Sequence, residues 1–116
     1  MGHGSKARSF DSAMKRVAGA LRKTGQYDRV LCAFLEVSRP SIPEAIELAV
    51  RHGAREIRVM PYFVLTGKHV QRDIPEIIRE AVRRHSPAVR IVRCPYLGYH
   101  SKIVSVVRQR IREGRS

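Results

Sequence analysis

Two histidines and one glutamate stand at regular intervals along the sequence, and their side chains are of the kind that bind transition metals. His3 lies between two glycines in GHGS, Glu36 ends the apolar run RVLCAFLE, and His69 follows PYFVLTGK. The intervals from His3 to Glu36 and from Glu36 to His69 are both 33 residues. A strand–helix unit of a doubly wound fold has about this length, so three successive units would present three equivalent strand ends. Two imidazoles and a carboxylate suit cobalt, nickel, iron or zinc, with coordination positions left open for a substrate.

Each of these residues also has an ordinary interpretation. A glutamate at the end of a strand is often solvated, or paired with a neighbouring arginine such as Arg39, and a histidine in a loop is often simply exposed. The apolar run ending at Leu65 predicts a strand end, and Asp73 predicts a helix start, so His69 is expected in the loop between them. Because all three residues are expected at the same edge of the sheet, a metal site is favoured over these ordinary interpretations.

Helix and strand signals alternate along the chain. Strands are predicted over 29–36, 56–65 and 89–95, and helices over 10–24, 74–85 and 100–112, with a further helix between the N-cap Ser41 and a stop at Gly53. This order predicts one domain over residues 1–116, folded as an α/β three-layer sandwich around a parallel, flavodoxin-like sheet. Ligands of such sheets bind beyond the carboxyl ends of the strands.

The charge balance favours an anionic ligand. The chain carries 23 Lys and Arg against 10 Asp and Glu, a formal net charge of +13. Such an excess draws nucleic acid, but a polycarboxylate or phosphate is attracted by the same field, and solvated helix faces are the ordinary explanation for many of the arginines. Only seven aromatic residues, no nucleic-acid motif and a wide spread of basic residues argue against a nucleic-acid-binding module.

Two further features bear on the cellular setting. Cys32 and Cys94 each lie in an apolar run without a CxxC partner, so we expect reduced core residues. No apolar stretch is long enough for a membrane span or a signal peptide, and the expectation is a cytoplasmic protein without a membrane partner.

Three separated motifs and a fourth at the end of the last predicted strand carry a family resemblance. GHGS, AFLE followed by PSIPEAI, PYFVLTGKHVQRDIPE and LGYH resemble the small class II tetrapyrrole chelatases, the sirohydrochlorin cobaltochelatase, ferrochelatase and nickelochelatase group. The resemblance spans about residues 2–100. It implies insertion of Co²⁺, Fe²⁺ or Ni²⁺ into sirohydrochlorin without a nucleotide, in cobalamin, siroheme or related tetrapyrrole biosynthesis. It also implies a homodimer, and it makes His3, Glu36 and His69 the metal positions, with the two histidines catalytic.

The chemistry of metal insertion agrees with these residue types. The reaction replaces two pyrrole N–H protons by a dication, so it needs a metal ligand set and a base whose pKa lies near neutrality, and histidine supplies both. Candidate contacts for the tetrapyrrole are Ser5, Gly67, Lys68, Arg72 and the N-termini of the helices that begin after Ser41 and at Asp73. A metal-binding or tetrapyrrole-binding protein without catalysis would use the same residues.

One feature departs from the family pattern. In the family an apolar strand precedes the GHGS motif, whereas only Met1 precedes it here. The expectation is therefore a sheet whose first strand is missing or truncated, and a chain extended by such a strand would be more stable and more active.

Overall fold

The chain has an α/β architecture built around a small parallel sheet. The computed structural model describes residues 2–35, 38–63 and 67–115, with the backbone alone for residues 2–11 and 69. The elements are α1 (Gly2–Lys23), α2 (Ile42–Arg51), β1 (Glu56–Val59), α3 (Lys68–His85), β2 (Arg90–Arg93) and α4 (Ser101–Glu113). β1 and β2 pair in parallel, with Glu56 opposite Arg90 and Val59 opposite Arg93, and α3 connects them. Within the described residues, no helix is long and apolar enough to span a membrane.

Helix α2 begins and ends where the sequence predicts. The hydroxyl of Ser41 accepts a hydrogen bond from the Glu44 amide at 3.2 Å, and the Glu44 carboxylate accepts one from the Ser41 amide at 2.9 Å. This reciprocal capping box satisfies two amides that the first turn would leave unpaired. The helix ends at a C-cap on His52, and Gly53 follows with a φ of +90°, a left-handed conformation that glycine adopts without strain.

Helix α3 begins earlier than predicted, which corrects the expected position of His69. The sequence signals at Asp73 and Pro75 predict a helix start there, but α3 begins at Lys68, and Pro75 lies inside it. His69 is therefore in the first turn of a helix and not in a loop. Pro75 removes only one amide from the helical ladder, and the residue four positions before it, Gln71, is exposed to water.

Helix α1 also begins earlier than its apolar spacing indicates. It extends from Gly2, eight residues before the predicted start, so His3 and Ser5 lie within it and not ahead of it. Because Ser5 lies inside α1, it is not the N-cap of this helix. The added segment contains Lys6, Ala7 and Arg8, which favour helix, and this propensity offsets the unfavourable glycines at its start.

The predicted strand 29–36 is wrong for its described part. Residues 29–35 form only a single parallel bridge, between Phe34 and Ser41. The Val30 carbonyl instead accepts hydrogen bonds from Nε and Nη2 of Arg22, at 3.1 and 2.5 Å. An apolar run is typical of a buried strand, but a strand forms only where a neighbouring strand can hydrogen-bond with it. β1 and β2 are also shorter than the described parts of the predicted strands 56–65 and 89–95.

The core lies where α2 and α3 pack together and α3 covers β2. Helix α4 adds no buried residue, and both cysteines are free and half-buried. Helical spacing in the sequence gives α3 an apolar stripe in which Ile74, Ile78 and Ala81 are buried. It gives α4 a similar stripe, but Val104, Val107 and Ile111 of that stripe are exposed. The buried apolar residues are Ala18, Phe34, Ala45, Ile46, Ile74, Ile78, Ala81 and Val89.

Candidate functional site

The carboxyl ends of β1 and β2 lead into two helix N-termini at one edge of the sheet. Beyond the strands, the Cys94 amide donates to the Val59 carbonyl at 2.8 Å, and the Gly98 amide donates to the Phe63 carbonyl at 3.2 Å. The two chain segments therefore run side by side beyond the sheet, one towards α3 and the other towards α4. Parallel α/β sheets bind their ligands at this edge.

The first turns of α3 bring positive groups to this edge. Gly67 is the N-cap in an extended conformation, with φ −94° and ψ 172°, and it offers no side chain to the free amides of the first turn. Lys68 and Arg72 are exposed and four residues apart, so they lie on one face of the helix. Arg72 also contacts its neighbour Asp73, with 3.3 Å between Nε and Oδ1. The first-turn amides and the dipole of α3, together with these two cations, favour the binding of a carboxylate.

A clamp of three residues fixes the chain just after Glu36. The Phe34 amide donates to the Pro40 carbonyl at 3.0 Å, which brings these two positions together. The Arg39 guanidinium then donates to both carboxylate oxygens of Glu44, which also accepts from the Ser41 amide. We call Arg39, Ser41 and Glu44 the α2 clamp. Glu44 is the partner that the structure describes for Arg39, and the pairing of Arg39 with Glu36 stays a prediction.

The clamp keeps Glu44 charged. The hydrogen bond from the Arg39 side chain, followed by that from the Ser41 backbone amide, lowers the pKa of Glu44 to about 2. The same carboxylate raises the pKa of Arg39. Both partners therefore carry full charge throughout the physiological range, so the clamp persists at any pH at which an imidazole base works.

The predicted metal set stays a prediction. Glu36 lies outside the described residues, and for His3 and His69 only the backbone is described, in the first turns of α1 and α3. Among the side chains that the structure does describe, no group of three or more His, Cys, Asp or Glu is arranged to hold a metal. The same limit applies to Ser5 as a ligand contact, since only its backbone in α1 is described.

The remaining histidines have structural roles at helix ends. His100 is the N-cap of α4, and its Nδ1 accepts from the Lys102 amide at 3.0 Å. The Nδ1 of His52 lies 2.8 Å from the Leu48 carbonyl, and the Nε2 of His85 lies 3.3 Å from Glu47. His52 and His85 both lie at helix C-termini, where the helix dipole favours histidine.

Sequence reasoning missed the contribution of Arg39 and Glu44 to the site. The signal was present, because Glu44 stands three residues after Ser41, but this spacing indicates only the capping box. The link from Arg39 to Glu44 required knowing the fold, because Glu36 and Glu44 are both candidate partners of Arg39 in the sequence.

Comparison with known proteins assigns the chain to a family. The family model CbiX matches residues 1–114. The chain belongs to the CbiX family. It is 31% identical over 111 residues to the sirohydrochlorin cobaltochelatase of Sulfurisphaera tokodaii, a match covering 96% of this chain and 87% of that protein. It is also 31% identical over 109 residues to the chloroplastic sirohydrochlorin ferrochelatase of Arabidopsis thaliana, covering 94% and 48% of the two chains.

The other relatives differ in length from this CbiX chain. The match to the sirohydrochlorin cobaltochelatase of Methanococcus aeolicus has 33% identity and covers 67% of this chain and 54% of that protein. The chain thus spans about half the length of several curated relatives that it matches.

Solved structures share the fold of this CbiX chain. The sirohydrochlorin chelatase SirB from Bacillus subtilis subspecies spizizenii, in complex with cobalt, matches with a TM-score of 0.78 and 28% identity, covering 89% of this chain and 44% of that one. SirB from Bacillus subtilis with Fe³⁺ matches with a TM-score of 0.77 and 30% identity, covering 93% and 41%. The CbiX protein from Marinobacter aquaeolei matches with a TM-score of 0.73 at 20% identity, covering 90% and 84%, which supports the fold alone.

Proposed function

We propose that this chain is a metallochelatase that inserts a divalent metal ion into sirohydrochlorin without consuming a nucleotide. The observation that carries the proposal is the CbiX match over nearly the whole chain, joined to relatives named sirohydrochlorin cobaltochelatase and ferrochelatase. The metal is cobalt, iron or nickel, ions with similar ligand preferences. The product would serve cobalamin, siroheme or a related tetrapyrrole pathway.

His3, Glu36 and His69 are the proposed metal-binding residues. The entering dication replaces two protons on the pyrrole nitrogens, so two protons must leave for each metal inserted. The imidazoles of His3 and His69 accept these protons, because histidine titrates near neutral pH. Glu36 holds the ion by charge until the macrocycle nitrogens take it over, and open coordination positions allow the transfer without full release of the metal. The position of His69 in the first turn of α3, at the edge where ligands of such sheets bind, supports this assignment.

The tetrapyrrole carboxylates are proposed to bind at the start of α3. Lys68 and Arg72 present two exposed cations on one face, and Gly67 allows close approach of the backbone to a flat ligand. Ser5 is a further proposed contact from α1. The net charge of +13 supports this assignment, because a positive surface raises the rate of encounter with a polyanion.

For the complete protein we propose a single three-layer domain with a flavodoxin-like parallel sheet, assembled as a homodimer. The TM-scores of 0.77 and 0.78 to the SirB structures support the domain fold. Exposed aliphatic residues on α4, including Ile111 at 72% exposure, support an association surface. Light scattering of the purified chain at micromolar concentration tests the dimer. Twice the chain mass of 13.2 kDa supports it, and a monomer throughout contradicts it.

An absorbance assay tests the catalytic proposal. Sirohydrochlorin is mixed with the folded chain and Co²⁺, Fe²⁺ or Ni²⁺ in separate reactions under anaerobic conditions, with no nucleotide present. The expected result is a spectral change to the metallated macrocycle that is faster than in matched buffer for at least one metal, and the relative rates identify the preferred ion. Equal rates with and without the chain for all three metals would contradict the proposal.

A further inference from the structure

An open cavity of about 470 Å³ lies between α1, residues 31–34 and 39–40, and α2. Its lining is mostly apolar and includes Leu31, Phe34 and Leu48. Phe34 is buried, but Leu31 and Leu48 are 40% and 41% exposed, although both face a concave apolar surface. When an apolar ligand covers leucines that are exposed to water inside a cavity, the free energy is lowered. The volume lies within the roughly 300–1,000 Å³ usual for organic ligands.

Three cations surround this apolar floor, and they differ in how far they are already engaged. Arg22 donates to the Val30 carbonyl, and Arg39 belongs to the α2 clamp with Glu44. Lys15, by contrast, has no hydrogen bond or ion pair within the part of the chain that the structure describes. Lys15 lines the cavity and supplies a positive charge to it. No acidic residue lines the cavity in the described part of the chain, so an anionic ligand meets attraction from every charged group there.

We propose that this cavity binds an organic carboxylate with an apolar body. The body covers Leu31 and Leu48, and the carboxylate pairs with Lys15, with Arg22 and Arg39 adding to the positive field. Among the residues that the structure describes, none of those lining the cavity belongs to α3, so the cavity is separate from the carboxylate contacts proposed at Lys68 and Arg72. Two sources have the required chemistry: the sirohydrochlorin of the proposed reaction, in which case the inference rests on that function, or a different apolar carboxylate.

Fluorescence titration with two probes distinguishes these sources. Sirohydrochlorin represents the proposed substrate, and 1-pyrenebutyrate is an apolar ring with a single carboxylate. Lys15→Met removes the charge and keeps most of the side-chain length, and Leu31→Glu places a carboxylate on the apolar floor. Lys23→Met is the matched control, because Lys23 lies on the same helix and does not line the cavity. Circular dichroism verifies that each variant keeps the helix content of the parent chain.

The expected result is a tenfold rise in the Kd of 1-pyrenebutyrate for Lys15→Met, which corresponds to about 1.4 kcal/mol. Leu31→Glu should raise it further, and Lys23→Met should leave it within twofold. A parallel rise for sirohydrochlorin supports the substrate as the source, and an unchanged sirohydrochlorin Kd supports another carboxylate. The inference is overturned if no substitution changes the Kd of either probe. It is also overturned if neither probe binds to the parent chain.

The metal-insertion assay separates this inference from the proposed function. Metal insertion by the parent chain, with probe Kd values that no substitution changes, removes the cavity site and leaves the chelatase proposal standing. Binding of 1-pyrenebutyrate that depends on Lys15, in a chain that inserts no metal, supports the cavity site and contradicts the chelatase proposal.

Discussion

At the scale of single residues, the proposed metal insertion depends on His69 and Glu36. His69 lies in the first turn of α3, between an N-cap without a side chain and the exposed Arg72. Glu36 lies outside the described residues, and in the sequence it stands between Phe34 and Pro40, which are joined by a hydrogen bond, and shortly before the α2 clamp. Regular spacing in the sequence predicts both residues as ligands. It does not predict the clamp, because which acid Arg39 binds depends on the fold.

His69→Ala should abolish metal insertion and leave stability nearly unchanged. The substitution removes the proposed ligand and base, and alanine has a high propensity for a helix such as α3, in which residue 69 lies. The measurements are the rate in the absorbance assay and the urea midpoint. His52→Ala is the control, because His52 is exposed at the far end of α2 and should keep full activity. Full turnover by His69→Ala would refute the role.

Glu36→Gln should weaken metal binding more than tetrapyrrole binding. The amide keeps the shape of the carboxylate but removes its charge, and this charge attracts a divalent cation but repels a polyanionic macrocycle. Isothermal titration with Co²⁺ and fluorescence titration with sirohydrochlorin measure the two affinities separately. An equal loss in both would assign Glu36 a structural role.

At the scale of elements, the sequence predicted the features that depend on nearby residues, but it did not predict which segments pair as strands. The capping box of α2 and the apolar stripe of α3 depend on residues a few positions apart, so both are legible in the sequence. The run 29–36 has the composition of a buried strand, yet its described part forms one bridge only. Strand formation depends on a partner distant in the chain, which composition does not specify. The early start of α3 was missed because Pro75 resembles a first-turn proline.

Glu44→Gln should make the stability of the chain less sensitive to acid. The pKa of Glu44 is lowered to about 2 in the folded state by Arg39 and the Ser41 amide, below its ordinary value of 4.5. A depressed folded-state pKa stabilises the fold above pH 4.5, and this contribution is lost as the pH falls from 4.5 towards 2. The parent chain should therefore lose more stability between pH 6 and pH 3 than Glu44→Gln does.

Urea unfolding followed by circular dichroism at both pH values measures this difference. Glu76→Gln, at an exposed position of α3, is the control and should retain the acid sensitivity of the parent chain. Identical pH dependence in Glu44→Gln and the parent chain would show that the α2 clamp adds nothing to stability.

At the scale of the whole molecule, charge and uncovered apolar surface are the dominant features. The net charge follows directly from the composition and was predictable. The exposure of the α4 stripe was not, because helical spacing shows that a helix has an apolar face but does not show what covers that face. Only four residues of each strand pair in the described sheet, so it offers little surface on which α4 can pack.

The rate of metal insertion at low sirohydrochlorin concentration should fall as salt is added. A chain of charge +13 attracts a polycarboxylate over a distance that shrinks from about 10 Å at 0.1 M salt to about 3 Å at 1 M. The expected change is a rise in KM between 0.05 and 0.5 M potassium chloride, with kcat nearly constant, because the metal and base residues act after the substrate has bound. A KM that does not respond to salt would contradict a role for the charge excess in binding.

The central claim is catalysis of metal insertion, and turnover number tests it most directly. Sirohydrochlorin and the preferred metal are supplied in about fiftyfold excess over the chain, without nucleotide, and the metallated product is followed by absorbance until the reaction stops. We expect many equivalents of product per chain, formed faster than in buffer, because a catalyst releases its product and reacts again. Formation of one equivalent or less would contradict the claim and would identify the chain as a protein that binds its ligands without converting them.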